Sequence, residues 1–291
     1  MTSPLDSVYI SNVLREDRSR LKREVRYARM LSSTFLDNTH RKLDNGYFWA
    51  DFIPSDSEER YQENKTDPEQ RRRLVENGWL DEQGNDKNSF RYRLNAEGFR
   101  CDNFTNEPGI VFFGCSHTYG IGIPTSTSWP QQVANHFGLQ CWNLAHPGQS
   151  LSLQALYAAT FLTEDIKNIK AIVVMETPDR FEYPFRSPNN RFGFWPLLSY
   201  TETRYKPSPL LGELYDGYPI KALFDGIKDQ YIIKNVALDL GVPYVYQNVD
   251  QICAHLPHEY LDLGRDLLHM GPRTQYYIAD QYIKLLEPYF R

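Results

Sequence analysis

The chain has 291 residues, 41% of them hydrophobic and 24% charged, the balance of a folded protein of one large or two modest domains rather than of extended disorder. A net charge of −5 supplies no overall basic field for nucleic-acid phosphates, and no apolar run approaches the roughly 18 residues of a membrane span. Four cysteines without regular spacing predict no disulfide framework.

The first third is the more heavily charged. Residues 1–105 hold 18 basic and 19 acidic residues, against 14 and 18 in residues 106–291, and are read as an accessory region before the main domain. Its opening carries no basic-then-apolar leader pattern, so the chain is expected in the cytoplasm, or with the virion if phage-encoded. Residues 13–30 are arginine-rich, with Leu14, Leu21, Val25 and Ala28 at helical spacing. That narrow stripe predicts a solvated helix that docks lightly or meets a partner; a basic patch for an acidic partner is the sharper reading. Aromatics (Tyr47, Phe48, Trp49, Phe52) follow between polar runs. Residues 55–73 read as helical, and Asn77-Gly78, Gly84 and Asn85 as turns.

From residue 106 the pattern changes. Residues 110–114 (IVFFG), 141–145 (CWNLA), 171–175 (AIVVM) and 242–247 (VPYVYQ) read as short buried strands. Between and after them come helices. One is capped at Ser128, with Pro130 in its first turn; another covers residues 150–163. A third runs through Leu223, Ile227, Tyr231, Ile232, Val236 and Leu240 to a stop at Gly241. The last is marked by Ile278, Tyr282, Leu285 and Leu286. The alternation predicts an α/β fold: a parallel sheet covered on both faces, with ligand chemistry beyond the carboxyl ends of the strands.

Chemistry-bearing residues fall at those ends. Gly114-Cys115-Ser116-His117-Thr118-Tyr119-Gly120 follows the first strand, where a serine at a strand–loop junction presents both its hydroxyl and its N–H. Asn143, Pro147 and Gly148 follow the second, in a turn whose N–H groups suit an oxyanion. Asp266 stands three residues before His269, the arrangement in which a carboxylate fixes an imidazole tautomer and stabilises its cation.

These blocks resemble the SGNH, or GDSL, hydrolase superfamily. GCSHTYG is similar to its first block, GDSxTxG, with Cys115 where aspartate usually stands. Gly148 matches its second block, and Asp266 to His269 its closing DxxH. The resemblance covers about residues 108–291 and implies a three-layer α/β/α fold with a flavodoxin-like sheet. It implies Ser116 as nucleophile, His269 as base and Asp266 as its partner, with Ser116 and Gly148 N–H groups in the oxyanion hole. The expected activity is hydrolysis of small O-acyl esters, acetyl foremost, on a glycan, without cofactor or metal.

The third block departs. Its GxND falls on Glu176-Thr177-Pro178-Asp179, so Pro178 occupies the place of the asparagine donor, and Asn143 is the candidate replacement. That departure motivates a rival reading: a structural or interaction protein, such as a phage component, that keeps the fold, with an oligomer or virion partner met through the N-terminal region. Upstream, the segment RLNAEGFR (residues 93–100) is similar to one that often precedes this domain, and is read as packing against the first strand.

Residues 177–220 form an unusually long connection holding ten aromatics. Phe194 and Trp195, together with His117 beside the serine, are the candidate substrate contacts. The rings otherwise pack a local subdomain. His117 and His146 otherwise read as structural, Ser116 as a turn serine, and Asp266 as a helix cap. Cys115 is a rival nucleophile, disfavoured because adjacent side chains are expected to face opposite ways. Cys253, His255 and His258 have faintly zinc-like spacing but lack a completing pair.

Overall fold

A computed structural model describes residues 44–53, 56–162, 166–177, 181–186, 192–197, 218–256 and 260–291. The arginine-rich segment 13–30 and Pro178 lie outside them. Four strands, β3 (Gly109–Gly114), β4 (Gln140–Asn143), β5 (Ile169–Glu176) and β8 (Tyr244–Asn248), form one sheet in the order β4-β3-β5-β8. All its pairings are parallel. This is a flavodoxin-like order, in which the chain reverses direction across the sheet between β3 and β5 and opens a crevice at their carboxyl ends.

Alternation along β3 sends side chains into two cores. Val111 and Phe113 join Trp142, Leu144, Ile172 and Val174 beneath α5 (Leu151–Phe161) and α6 (Tyr218–Leu240). Ile110 and Phe112 join Ala171, Val173 and Met175 beneath α4 (Trp129–His136), α7 (Val249–Cys253) and α8 (Pro272–Leu286). Both faces are therefore covered, which is why these strands read as continuous apolar runs. Three layers result.

The helix ends follow local chemistry, with two revisions. Residues 55–73 do not make one helix: α1 (Glu58–Thr66) stops at Asp67, whose carboxylate accepts the Gln70 N–H at 2.8 Å and caps α2 (Pro68–Glu76). Asp-Pro supplies both a cap and a first-turn proline, so a new helix begins there. Ser128 does precede α4, but its hydroxyl donates to Thr125 O at 2.8 Å and leaves the helix uncapped. The Trp129 N–H is instead satisfied by Gln275 Oε1 at 2.8 Å, from α8. Gly241 ends α6 at φ 67°, as its position predicts.

The N-terminal part contributes β1 (Phe48–Ala50), paired antiparallel with β2 (Tyr92–Leu94). It reaches the C-terminal loops directly: Trp79 Nε1 donates to Leu263 O at 2.9 Å, and the Leu263 N–H donates to Asn77 Oδ1 at 2.7 Å. The long connection carries a two-stranded antiparallel ribbon, β6 (Phe181–Arg186) with β7 (Phe192–Leu197). Among the described residues no helix is long and apolar enough to cross a membrane.

Candidate active site

Ser116 opens α3 (Ser116–Tyr119), a single turn directly after β3. The turn is tight because Gly114 permits it: a Cβ there would stand 2.0 Å from Thr118 Oγ1 and 3.0 Å from Met175 O. Gly120, left-handed at φ 83°, ends the turn. Ser116 N–H is at the first helical position, where no intrahelical acceptor exists. The hydroxyl is buried and lies 3.7 Å from Cys115 Sγ. The two side chains are therefore neighbours rather than turned to opposite sides. Cys115 is fully buried, with its sulfur 2.7 Å from Thr177 Oγ1 at the end of β5.

Asp266 and His269 meet as their spacing predicts. His269 Nδ1 lies 2.5 Å from Asp266 Oδ2, while Asp266 Oδ1 accepts the N–H groups of Leu268 (3.2 Å) and His269 (3.1 Å). Burial alone would raise the Asp266 pKa. The hydrogen bond and charge of His269, with the two backbone N–H groups, outweigh that and hold it below the ordinary carboxylate value. The turn is strained: Leu267 has φ 57°, and its side chain is sunk among Tyr61, Leu74, Trp79, Leu80 and Ile123. The capping alternative fails here. Asp262, which sequence reasoning missed, caps α8 by accepting the N–H groups of Arg273 and Thr274, both at 2.9 Å.

Between Ser116 Oγ and the His269 ring there is no hydrogen bond among the described residues. The rings of His117 and His269 stand edge-on at 5.5 Å, and His117 also faces Tyr260 at 5.7 Å. His117 is therefore beside the imidazole, whereas His146 is half-buried in the next turn with Nδ1 3.1 Å from Pro147 O.

Asn143 braces this edge of the sheet. Its Nδ2 donates to Thr118 O at 2.9 Å and its Oδ1 accepts the Ala145 N–H at 3.1 Å. Gly148 takes φ 75° in a turn closed by Gln149 N–H to His146 O (3.1 Å) and His146 N–H to Gln149 Oε1 (2.9 Å). Phe194 and Trp195 lie in β7, whose backbone alone is described. Among the described residues no three His, Cys, Asp or Glu side chains group as metal ligands; His258 lies outside them.

Arg100, the last residue of the RLNAEGFR segment, has a role that sequence reasoning did not find. Wholly buried, it donates to the carbonyls of Tyr119 (3.1 Å), Gly120 and Ile123 (2.6 Å), and so grips the loop after the serine. Its guanidinium lies 4.5 Å from the Tyr92 ring and 5.3 Å from that of Tyr119. The only sequence signal was an arginine set directly between Phe99 and Cys101.

No protein-family model matches the chain, and no curated protein matches it. Some solved structures are similar. Est24, a carbohydrate acetylesterase from Sinorhizobium meliloti, gives a TM-score of 0.32 at 11% identity, over 62% of this chain and 99% of its own. Est2A, an acetyl xylan esterase from Butyrivibrio proteoclasticus, gives 0.32 at 13% identity, over 70% and 68%. A family two carbohydrate esterase from Clostridium thermocellum, in complex with cellohexaose, gives 0.30 at 13% identity; the similarity covers 62% of this chain and 64% of that one, less than two thirds of its length. Likeness at this level assigns no chemistry.

Proposed function

We propose that the chain is a serine esterase acting on small O-acyl esters, acetyl on a glycan foremost, through Ser116, His269 and Asp266. One observation carries the reading: a buried carboxylate 2.5 Å from His269 Nδ1, in a loop at the same sheet edge as a serine that opens a one-turn helix. Asp266 keeps the ring proton on Nδ1, leaving Nε2 as the acceptor.

In the first half-reaction Ser116 Oγ attacks the ester carbonyl while His269 Nε2 takes the hydroxyl proton. The N–H groups of Ser116 and Gly148 receive the oxyanion. As the tetrahedral adduct collapses, the imidazolium returns the proton to the departing alkoxide, leaving an acyl-serine. Water then gives its proton to the same nitrogen and attacks the acyl carbon. Collapse releases the carboxylic acid and restores the serine. Asp266 stays ionised throughout, in keeping with its lowered pKa. His117 is the nearest candidate for contact with the acyl group or the leaving oxygen, and Phe194 and Trp195 for contact with the alcohol moiety.

A second reading, a non-catalytic interaction protein on the same fold, draws on one feature: the Ser116 hydroxyl meets Cys115 Sγ and not the His269 ring. Both readings face the same test. A fluorophosphonate probe should label the wild-type chain at Ser116 and leave Ser116→Ala unlabelled, and the wild type should hydrolyse p-nitrophenyl acetate. A wild-type chain that does neither sinks the esterase and leaves the second reading.

A further inference from the structure

The serine and the histidine sit on different loops, and no hydrogen bond joins their side chains. Their relative placement therefore depends on what ties loop to loop. Gly122, six residues beyond Ser116, accepts the N–H of Arg265 on its carbonyl at 2.8 Å. Arg265 is the immediate neighbour of Asp266. The loops touch so closely that a Cβ on Gly122 would stand 2.9 Å from Asp266 Oδ1.

From this contact a chain of bonds leaves the domain and returns to it. The Gly122 N–H donates to the Tyr92 hydroxyl oxygen at 2.8 Å, and that hydroxyl donates to Asp56 Oδ2 at 2.6 Å. Asp56 in turn holds the Arg265 guanidinium, with Nη2 2.6 Å from Oδ2 and Nε 3.2 Å from both oxygens. Arg265 closes the ring through its own backbone N–H. Asp56, Tyr92 and Arg265 are all buried. Burial, then the charge of Asp56, pushes the Tyr92 phenol well above its ordinary value, so it stays protonated and has a proton to donate. Phe52 and Phe90 stack over the guanidinium at 4.4 and 4.2 Å, and Asp51 O accepts a further N–H at 2.9 Å.

Stability alone is a poor explanation of such a ring. A buried ion pair is often no more stabilising than apolar residues of the same volume, and in some systems it is kept for the geometry it specifies. Four chain segments (residues 51–56, 90–92, 122 and 265) converge here, and two belong to the region before the sheet.

We propose that Asp56 and Tyr92, from the N-terminal region, are positioning residues of the catalytic site. Through Gly122 and Arg265 they hold the Ser116 loop and the Asp266–His269 loop in mutual register. The proposal rests on the esterase reading. It makes Asp56 and Tyr92, and not the whole of the N-terminal region, part of the site's support.

The test compares Tyr92→Phe with Asp67→Ala in the full-length chain. Tyr92→Phe keeps the ring over Arg100 and removes two bonds of the ring; Asp67→Ala removes a helix cap of the same region, away from the site. Tyr92→Phe should slow fluorophosphonate labelling of Ser116 about tenfold to a hundredfold, the scale of loss from sub-ångström to ångström misplacement. Its KM for p-nitrophenyl acetate should stay near the wild-type value while kcat falls. Asp67→Ala should lower the melting temperature and leave both constants unchanged. The low-field proton resonance of His269 Nδ1 should shift or broaden in Tyr92→Phe and in Asp56→Asn, and stay in place in Asp67→Ala. Wild-type labelling and an unmoved resonance in a folded Tyr92→Phe would overturn the proposal; should Asp56→Asn not fold, Tyr92→Phe alone decides. A wild-type chain that fails to label overturns the esterase instead, and the proton resonance, which needs no substrate, still decides whether the ring positions His269.

Discussion

Replacing Asp266 with asparagine would separate holding the His269 ring from setting its protonation. The exchange conserves volume and leaves no cavity. What changes is the order of donors and acceptors. Asp266 Oδ1 accepts two backbone N–H groups, from Leu268 and His269, and those donors require an oxygen. The asparagine amide must therefore point its carbonyl at them and its NH2 group at His269 Nδ1, in the position Oδ2 now holds at 2.5 Å. Facing a donor, Nδ1 becomes an acceptor, and the ring proton moves to Nε2. The nitrogen that should receive the serine proton then already carries one. Such a tautomer reversal costs about 10⁴ in kcat in a serine triad, equivalent to about 5 kcal/mol at ~1.36 kcal/mol per tenfold.

The assay is single-turnover hydrolysis of p-nitrophenyl acetate and the rate of fluorophosphonate labelling, with ¹⁵N spectra of the His269 ring reporting which nitrogen bears the proton. Were Asp266 no more than a turn-forming residue, asparagine would replace it at little cost, since both accept N–H bonds. Activity within tenfold of wild type, or a proton that stays on Nδ1, would refute the tautomer argument.

Two further outcomes follow from the same loop. Because the native carboxyl of Asp266 is held below its ordinary value, the ionised form stabilises the fold above the unfolded-state pKa of ~4. That contribution is lost as pH falls through the lowered native value, so the excess in urea stability of wild type over Asp266→Asn should be largest near neutrality and shrink toward pH 3; a constant difference contradicts this. Asp262→Ala strips the first turn of α8 of its carboxylate acceptor and should cost about 1–2 kcal/mol in urea unfolding, whereas an unchanged midpoint would mean the cap is replaced by water.

The parts of the fold readable in the sequence were those decided locally or by burial on both faces. Ile110 to Gly114 reads as a strand because every residue in it is buried, and Ser116 could be placed at its end because Gly114 marks the turn. Asp266 and His269 are three residues apart, so their pairing is a local event. What escaped was decided at long range. The Trp129 N–H finds its acceptor 146 residues away, on Gln275, so Ser128 alone gave a misleading account of that cap. Asp56 and Arg265 lie 209 residues apart, and neither stands in a motif. Two misses were local: Asp67-Pro68 marks a helix boundary by its own chemistry, and Asp262 stands eleven and twelve residues before the N–H groups it caps. The aromatic ribbon of residues 181–197 was legible as a long connection but not as two paired strands, since Pro184 and Pro196 argue against a ladder.

Aromatic rings of the chain also cover two buried cations. Arg265 is flanked by Phe52, Phe90 and Tyr61, and Arg100 by Tyr92 and Tyr119. A buried guanidinium is costly unless its donors are met and its faces are covered. Arg265 meets its donors with Asp56 and a carbonyl; Arg100 places its two terminal nitrogens on three carbonyls of the loop that follows Ser116, while its Nε finds no hydrogen-bond partner among the described residues. Lysine fits neither place, because a compact ammonium lacks the planar fork that spans several carbonyls and the flat faces on which rings stack. Arg100 grips the loop that follows the serine, while Arg265, next to the aspartate, ties its own loop to Asp51 and Asp56. The rings that cover them come chiefly from residues 52–92. On the proposed reading these rings, with Asp56, enclose the cations that hold the candidate site's loops in place.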